Sequence, residues 1–234
     1  MTELETLVHL QEFDTRIAAL EAEAARLPRR IEALHASLAE ARKTVETVKG
    51  RLDAARKEMR AREKDLDDIA VKRARSEGRL YEVKTNTEYS AVLAEIETIK
   101  RQKAQAEEDI LALMERQEAL QAEIREAEQR LRSREEQARR DEASLRERLA
   151  AVETELDGVR GERASLAREL PRGTLADYER ILRARGGLGI APVGLAAICG
   201  GCRMAIRPQA IQELRQNQAL LHCESCGRFL YWSE

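Results

Sequence analysis

The residues of this chain best suited to chemistry are its four cysteines. They form two pairs, Cys199-Gly-Gly-Cys202 and Cys223-Glu-Ser-Cys226, about 20 residues apart, the spacing of a four-thiolate zinc site. Each pair wraps a tight turn around one side of a tetrahedral Zn²⁺, and four protein thiolates leave the metal no open position for water or substrate. One structural zinc is therefore expected, serving the fold and not a reaction. A dithiol oxidoreductase would need a single reactive pair in a βαβ setting, which two matched pairs do not provide. No paired carboxylates, nucleophile–base set or phosphate loop stands elsewhere, so the chain is read as a non-enzyme with no small-molecule substrate. His222, beside the second pair, is read as a strand residue next to a complete shell.

The composition describes what must carry this site. Charged residues make up 36% of the 234 and aromatic residues only 3%, with a formal net charge of −2. Enrichment in Ala, Glu, Arg and Leu marks long helix or coiled coil. A balance so near neutrality excludes a strongly basic nucleic-acid binder and an acidic solvating tail. No apolar run reaches ~18 residues and no export leader precedes the chain, so no membrane association is expected. Paired metal-type thiols without a leader place the protein in a reducing cytoplasm.

From Leu10 to Val83 apolar residues advance by alternating steps of three and four. One seam position passes through Leu10, Ile17, Ile31, Val45, Leu52 and Leu66, the other through Phe13, Leu20, Leu27, Val48 and Ile69. Arg62, Arg73 and Ser76 interrupt them. Such a narrow seam is that of a coiled coil, and an ~80-residue helix would be ~120 Å long. Pro28 predicts a kink within it. A second seam starts near Asn86 and runs through Tyr89, Val92, Ile96, Ile110, Leu120 and Leu131. Lys103 and Gln117 interrupt it. A stutter-like slip follows Leu131, and the pattern resumes at Leu145 and continues to Leu170.

Val83 to Glu88 holds the only break suited to a reversal. Thr85-Asn-Thr-Glu88 has the form of a capping box opening the second helix. An antiparallel register that sets Val83 against Tyr89 also sets Leu52 against Leu120, Leu27 against Leu145 and Phe13 against Val159. In that register Arg79 meets Glu95, Glu58 meets Arg116 and Arg51 meets Glu123, whereas Glu63 meets Glu107 and Asp65 meets Asp109 unfavourably. The matched seams predict an antiparallel hairpin over residues 1–171, with its turn near 83–88. A parallel dimer of open rods is the competing arrangement.

Residues 172–234 read as a short helix followed by a small zinc-ribbon domain. Thr174 is expected to cap a helix carrying Leu175, Tyr178, Ile181 and Leu182, which Gly186-Gly187 stops. Strands are expected at 188–193, 219–222 and 229–232, with a helix from Pro208 to about Arg215. Gly200 and Gly201 would let amides turn toward the thiolates. Phe229, Tyr231 and Trp232 are read as filling the small core in preference to stacking on bases. From Arg172 onward the chain has eight Arg against five acidic residues, and a zinc tetrathiolate offsets most of that excess. A basic face of Arg180, Arg183, Arg185, Arg203 and Arg207 would therefore attract phosphate only modestly.

The chain resembles a bacterial family of coiled-coil hairpin proteins with a C4-type zinc ribbon. The likeness rests on Lys84-Thr-Asn-Thr-Glu-Tyr-Ser-Ala-Val-Leu-Ala-Glu-Ile-Glu97, Tyr178-Glu-Arg180, Gly186-Gly187 through Pro192-Val193, Cys199-x-x-Cys202 with Met204, and Cys223-x-x-Cys226-Gly-Arg-x-Leu-Tyr-Trp232. The resemblance implies a mostly α fold, a long two-helix hairpin with a small C-terminal ribbon, and a nucleic-acid-binding label. One branch (FlgZ-like) resembles flagellar regulators or chaperones that engage an RpoN-type sigma factor, flagellar export components and flagellin message. The leading expectation is an adaptor or chaperone-like regulator that binds protein partners through its coiled-coil arm and its ribbon. The partner surface is expected at Lys84, Thr85, Asn86, Glu88 and Tyr89. The alternative, an RNA- or DNA-binding ribbon, would use Arg203 and Arg207.

Overall fold

The structure, a computed structural model, describes residues 2–216 and 220–233. Its elements in chain order are α1 (Glu3–Arg79), α2 (Asn86–Ala167), α3 (Arg172–Ala184), β1 (Ile190–Val193), α4 (Pro208–Arg215), β2 (Leu221–His222) and β3 (Phe229–Trp232). The chain divides into two compact units, Met1–Glu32 with Glu142–Glu234, and Ala33–Asp141. No helix among the described residues is long and apolar enough to cross a membrane.

Within Ala33–Asp141, α1 and α2 pair antiparallel in the register the seams require. Val48, Leu52 and Ala55 are buried together with Leu120, and Ile124 packs against them. Residues that break the seam find polar partners. Arg62 reaches both Asp65 (3.4 Å) and Asp109 (3.7 Å), and Lys103 reaches Glu107 (3.3 Å). These cations relieve the acidic contacts that a simple pairing of flanking positions leaves unfavourable. The Ser76 hydroxyl, buried at 3% exposure, donates to Glu95, which also accepts from Arg79. The pair Glu58–Arg116 forms at 3.9 Å. Arg51 and Glu123 form no ion pair among the described residues.

At the reversal α1 stops at Arg79, four residues short of Val83. Leu80 and Val83 keep seam spacing and stay half-buried, but amides of Tyr81, Glu82 and Val83 bond back to Gly78 and Arg79 as turns. Apolar periodicity thus outlasts the helix, because turn residues next to a seam also bury apolar side chains. The capping box forms as its sequence predicts. The Glu88 amide donates to Thr85 Oγ1 (3.2 Å), and the Thr85 amide and hydroxyl donate to Glu88 Oε2 (3.2 and 2.9 Å). Beyond Leu131, half-buried Glu135 and buried Ala138 carry the seam through the phase slip, and Glu135 accepts from Arg42 at 2.7 Å.

In the unit of Met1–Glu32 with Glu142–Glu234, α1 continues through Pro28 as helix. Leu20, Leu27, Val152, Leu156 and Val159 are buried together, with Phe13 and Leu145 against them. Arg16–Glu155, Arg148–Glu23 and Arg160–Glu21 flank that seam. α3 begins at Arg172, with Pro171 at its N-cap and no side-chain cap. Thr174 lies inside the helix, and its hydroxyl donates to Glu3 instead (3.4 Å). Gly186 and Gly187 have φ of +65° and +87°, and the Gly187 amide bonds back to Leu182 O, ending the helix as expected.

Three short strands follow in the order β1-β3-β2, β1 parallel and β2 antiparallel to β3. β1 starts at Ile190, not Leu188, because residues 185–189 form the loop that meets α1. The expected strand at 219–222 is seen as Leu221–His222, Ala219 lying outside the described residues. Alternate residues of the sheet serve two cores. Ile190 and Phe229 join Leu4, Leu7, Leu10, Ala167, Leu170, Tyr178 and Ile181. Ala191, Val193 and Leu230 join Leu214 and the cysteines. The ribbon thus shares one core with the start of α1 and the end of α2, and keeps a second around its metal ligands.

Candidate metal centre and recognition surfaces

The four sulfurs gather within 4.8 Å of one another. Across the two knuckles, Cys199 Sγ lies 3.9 Å from Cys226 Sγ, and Cys202 Sγ lies 3.7 Å from Cys223 Sγ. A tetrahedron with Zn–S bonds of ~2.3 Å has edges of ~3.8 Å, so the two cross-knuckle edges match a zinc tetrathiolate and the other sulfur pairs lie within 4.8 Å. The fit to a C4 site holding one structural zinc is direct. Bound there, zinc would crosslink two segments that have little core of their own.

The knuckles are near copies of each other. In the first, the Arg203 amide donates to Cys199 O and the Cys199 amide to Met204 O. In the second, the Gly227 amide donates to Cys223 O and the Cys223 amide to Arg228 O. Both need a left-handed residue just after the second cysteine. Gly227 supplies φ +77°, and Arg203 supplies +65° at a steric cost. Gly200 and Gly201 are required for close approach. A Cβ on Gly200 would sit 2.8 Å from Pro192 Cγ, and one on Gly201 would sit 2.7 Å from Arg228 Cδ. The Gly200 amide donates to Pro192 O, so only the amides of Gly201 and Cys202 serve the Cys199 thiolate.

Burial pushes the Cys199 thiol up and the Cys223 thiol up to about 12. Burial opposes ionisation of Cys226 too, but hydrogen bonds from the amide and guanidinium of Arg228, with those from the Cys202 and Cys223 thiols, outweigh it and draw that thiol down to about 6. Arg228 is 9% exposed, and its guanidinium also donates to Leu188 O (2.8 Å) and Arg185 O (2.9 Å). Arg185 donates in return to Cys226 O at 2.9 Å. These two arginines tie the second knuckle to the 185–189 loop. Sequence reasoning assigned Arg185 to a basic face and passed over Arg228.

The other side of that loop is held by α1. Gln11 Oε1 accepts from the Gly189 amide (2.6 Å), and its Nε2 donates to Gly187 O (2.9 Å). Beside it the buried Tyr178 hydroxyl donates to Asp14 (2.8 Å), which also accepts from Arg163 (2.9 Å). Arg163 bridges onward to Glu179 at 3.2 Å. Desolvation and the adjacent Asp14 carboxylate raise the Tyr178 pKa, so it remains a donor. The only signal for this network in the sequence was a pair of polar residues, Gln11 and Asp14, close to the first seam.

The basic face expected on the ribbon is largely engaged. Arg180 pairs with Asp177 (3.1 Å), Arg207 pairs with Glu224 (2.6 Å), and Arg185 is taken by Cys226 O. Arg183 and Arg203 are exposed. The aromatic residues do not present a stacking platform. Phe229 is buried and meets the His222 ring at a centroid distance of 4.2 Å with the planes tilted by 41°, Tyr231 packs on the shared core, and Trp232 lies under the Arg215 guanidinium at 4.6 Å. At the hairpin turn Lys84, Thr85, Asn86, Glu88 and Tyr89 are all exposed, Thr85 and Glu88 being bound to each other in the cap. Tyr81, 92% exposed, was not singled out by its spacing, because it sits outside both seams.

Residues 10–187 match the CT398-like coiled coil hairpin domain, and residues 198–230 match the C4-type zinc ribbon domain. No curated protein matches the chain at a significant level. Among solved structures, CT398 of Chlamydia trachomatis superposes with a TM-score of 0.82 at 22% identity, over 99% of this chain and 98% of that one. A Mycobacterium smegmatis protein gives a TM-score of 0.72 at 23% identity, covering 99% and 97%. HP0958 of Helicobacter pylori gives 0.65 at 19% identity, covering 99% and 98%. At these identities the likeness is one of fold.

Proposed function

This chain belongs to the family of CT398-like coiled-coil hairpin proteins and carries a C4-type zinc ribbon, and we propose that it is a non-enzymatic, cytoplasmic adaptor that binds protein partners through its hairpin and its ribbon. The observation that carries the reading is the surface at the hairpin turn. Tyr81, Tyr89 and Leu93 are 92%, 47% and 40% exposed, Tyr81 and Leu93 lying outside the seam and Tyr89, expected to face Val83, staying half in water at its end. Large apolar side chains kept in water at and beside a loop support a recognition role. The closed thiolate shell supports a ribbon that recognises without reacting. The engagement of Arg180, Arg185 and Arg207 within the ribbon supports protein ahead of phosphate.

Crosslinking in cells from position 81 is expected to recover a defined protein, and the joint Tyr81→Ala, Tyr89→Ala variant to lose it with helical content unchanged. An RpoN-type sigma factor and a flagellar export component are the first partners to test. A recovered protein indifferent to these substitutions, or one released by nuclease, would overturn the reading. The nucleic-acid alternative predicts binding at low salt that Arg203→Glu and Arg207→Glu each weaken.

A further inference from the structure

Among the described residues, the ribbon carries two backbone edges without a strand partner, and both border one groove. The first is β2, the outer strand of the sheet. Its register decides which groups turn outward. The Cys223 amide donates to Arg228 O, so Cys223/Arg228 and Leu221/Leu230 are hydrogen-bonded pairs. His222 between them is in a non-hydrogen-bonded pair with Phe229, and its N–H and C=O point away from β3. The second edge is at 204–206. Met204 O accepts from the Cys199 amide and the Ile206 amide donates to Ala197 O, which turns the N–H and C=O of Ala205 away from its bridge partner Ile198. His222 and Ala205 both line a groove of about 410 Å³, together with the apolar side chains of Ile206, Leu221 and Leu230.

Charge on the rim narrows the choice of occupant. Arg207 and Glu224 neutralise each other at 2.6 Å. Among the described residues, Glu213 on the same groove has only the neutral Gln209 amide, at 3.3 Å. The rim therefore keeps one uncompensated negative charge, which repels phosphate and attracts a cationic side chain. We propose that this groove takes an extended segment of a protein partner. The segment adds as a strand along His222 and Ala205, places alternate apolar side chains against Ile206, Leu221 and Leu230, and directs a Lys or Arg toward Glu213. The proposal rests on the reading of the ribbon as a protein-recognition head, and gives that head a ligand class.

The test uses the zinc-loaded full chain and a displayed library of linear nonamer peptides. Enriched peptides are expected to alternate apolar residues with Lys or Arg. His222→Ala, which keeps the backbone donor, should bind them nearly as wild type does. Relative to His222→Ala, which already lacks the imidazole, His222→Pro removes the outward N–H and fixes φ, a change that an edge strand tolerates, and should weaken binding about tenfold. N-methylation of alternate amides in a selected peptide should abolish binding at every second position and spare the others, whatever the stability of the protein variants. Glu213→Arg should reverse the preference for basic residues. Failure to enrich any peptide, methylation effects without alternation, displacement by single-stranded RNA, or occupation of the groove by a second copy in sedimentation would each overturn the proposal. If the cellular partner still crosslinks from position 81 while the groove binds no peptide, the groove inference fails and the adaptor reading stands.

Discussion

Arg203 and Gly227 occupy the same place in two copies of one turn, and they meet its demand for a left-handed backbone at different cost. Glycine adopts φ +77° freely, whereas the Arg203 Cβ is crowded at +65°. Arg203→Gly is therefore expected to stabilise the zinc-loaded protein by up to about 1 kcal/mol, and Gly227→Ala to destabilise it by about the same. A Cβ on Gly227 meets no atom within 4 Å, so the second effect isolates backbone strain from collision. Thermal unfolding of the two single variants checks both signs. The same comparison gives Arg203 a structural role apart from its charge, which Arg203→Lys would leave intact. At this scale the metal ligands were fully legible, because Cys-x-x-Cys spacing is local. The arginines around them were not, because Arg185 and Arg228 meet only after the 185–189 loop has folded over the knuckle.

Between elements, the decisive contact is α3 on the start of α1. Tyr178→Phe removes the donor to Asp14 and is expected to cost about 1–2 kcal/mol. Gly189→Ala places a Cβ 2.5 Å from the Tyr178 ring, and the overpacking should cost about 1–3 kcal/mol. Urea unfolding of both variants measures these losses. Amide exchange should rise at 185–190 in each, while the Thr85–Glu88 cap stays protected. Much at this scale was readable in advance. Seam residues Val48, Leu52, Leu120 and Ile124 cluster as their period required, and the capping box formed from four consecutive residues. Two kinds of feature escaped. The end of α1 at Arg79 was hidden because Leu80 and Val83 prolong the apolar pattern into the turn. The roles of Gln11, Asp14 and Arg163 were hidden because their partners lie far along the chain, Gln11 and Gly189 being 178 residues apart.

For the molecule as a whole, zinc should govern one unit and spare the other. Chelation is expected to release the knuckles and the core around Leu214 and Leu230, while the helices of Ala33–Asp141 persist. Trp232, the one tryptophan, packs on that metal-side core, so its fluorescence should change while far-ultraviolet ellipticity falls little. Acid should act in the same direction. The depressed thiol of Cys226, about 6 in the metal-free chain, contributes stability that is present above the unfolded thiol pKa of ~8.5 and lost as pH falls through 6. Protons returning to Cys199 and Cys223 compete with zinc in the same sense. A fluorescence transition of the zinc-loaded protein below pH 6, of the same sign as the change that chelation produces at neutral pH, is the expected result. The shared core at the start of α1 also has a consequence in time. Leu4, Leu7 and Leu10 leave the ribosome well before their cover, Ile190 and Phe229, which lies 180 or more residues further along the chain. At ~5–20 residues per second, that apolar stretch waits on the order of 10–40 s for its partners. During synthesis, apolar residues that the finished fold buries thus stay without shelter while both long helices are made.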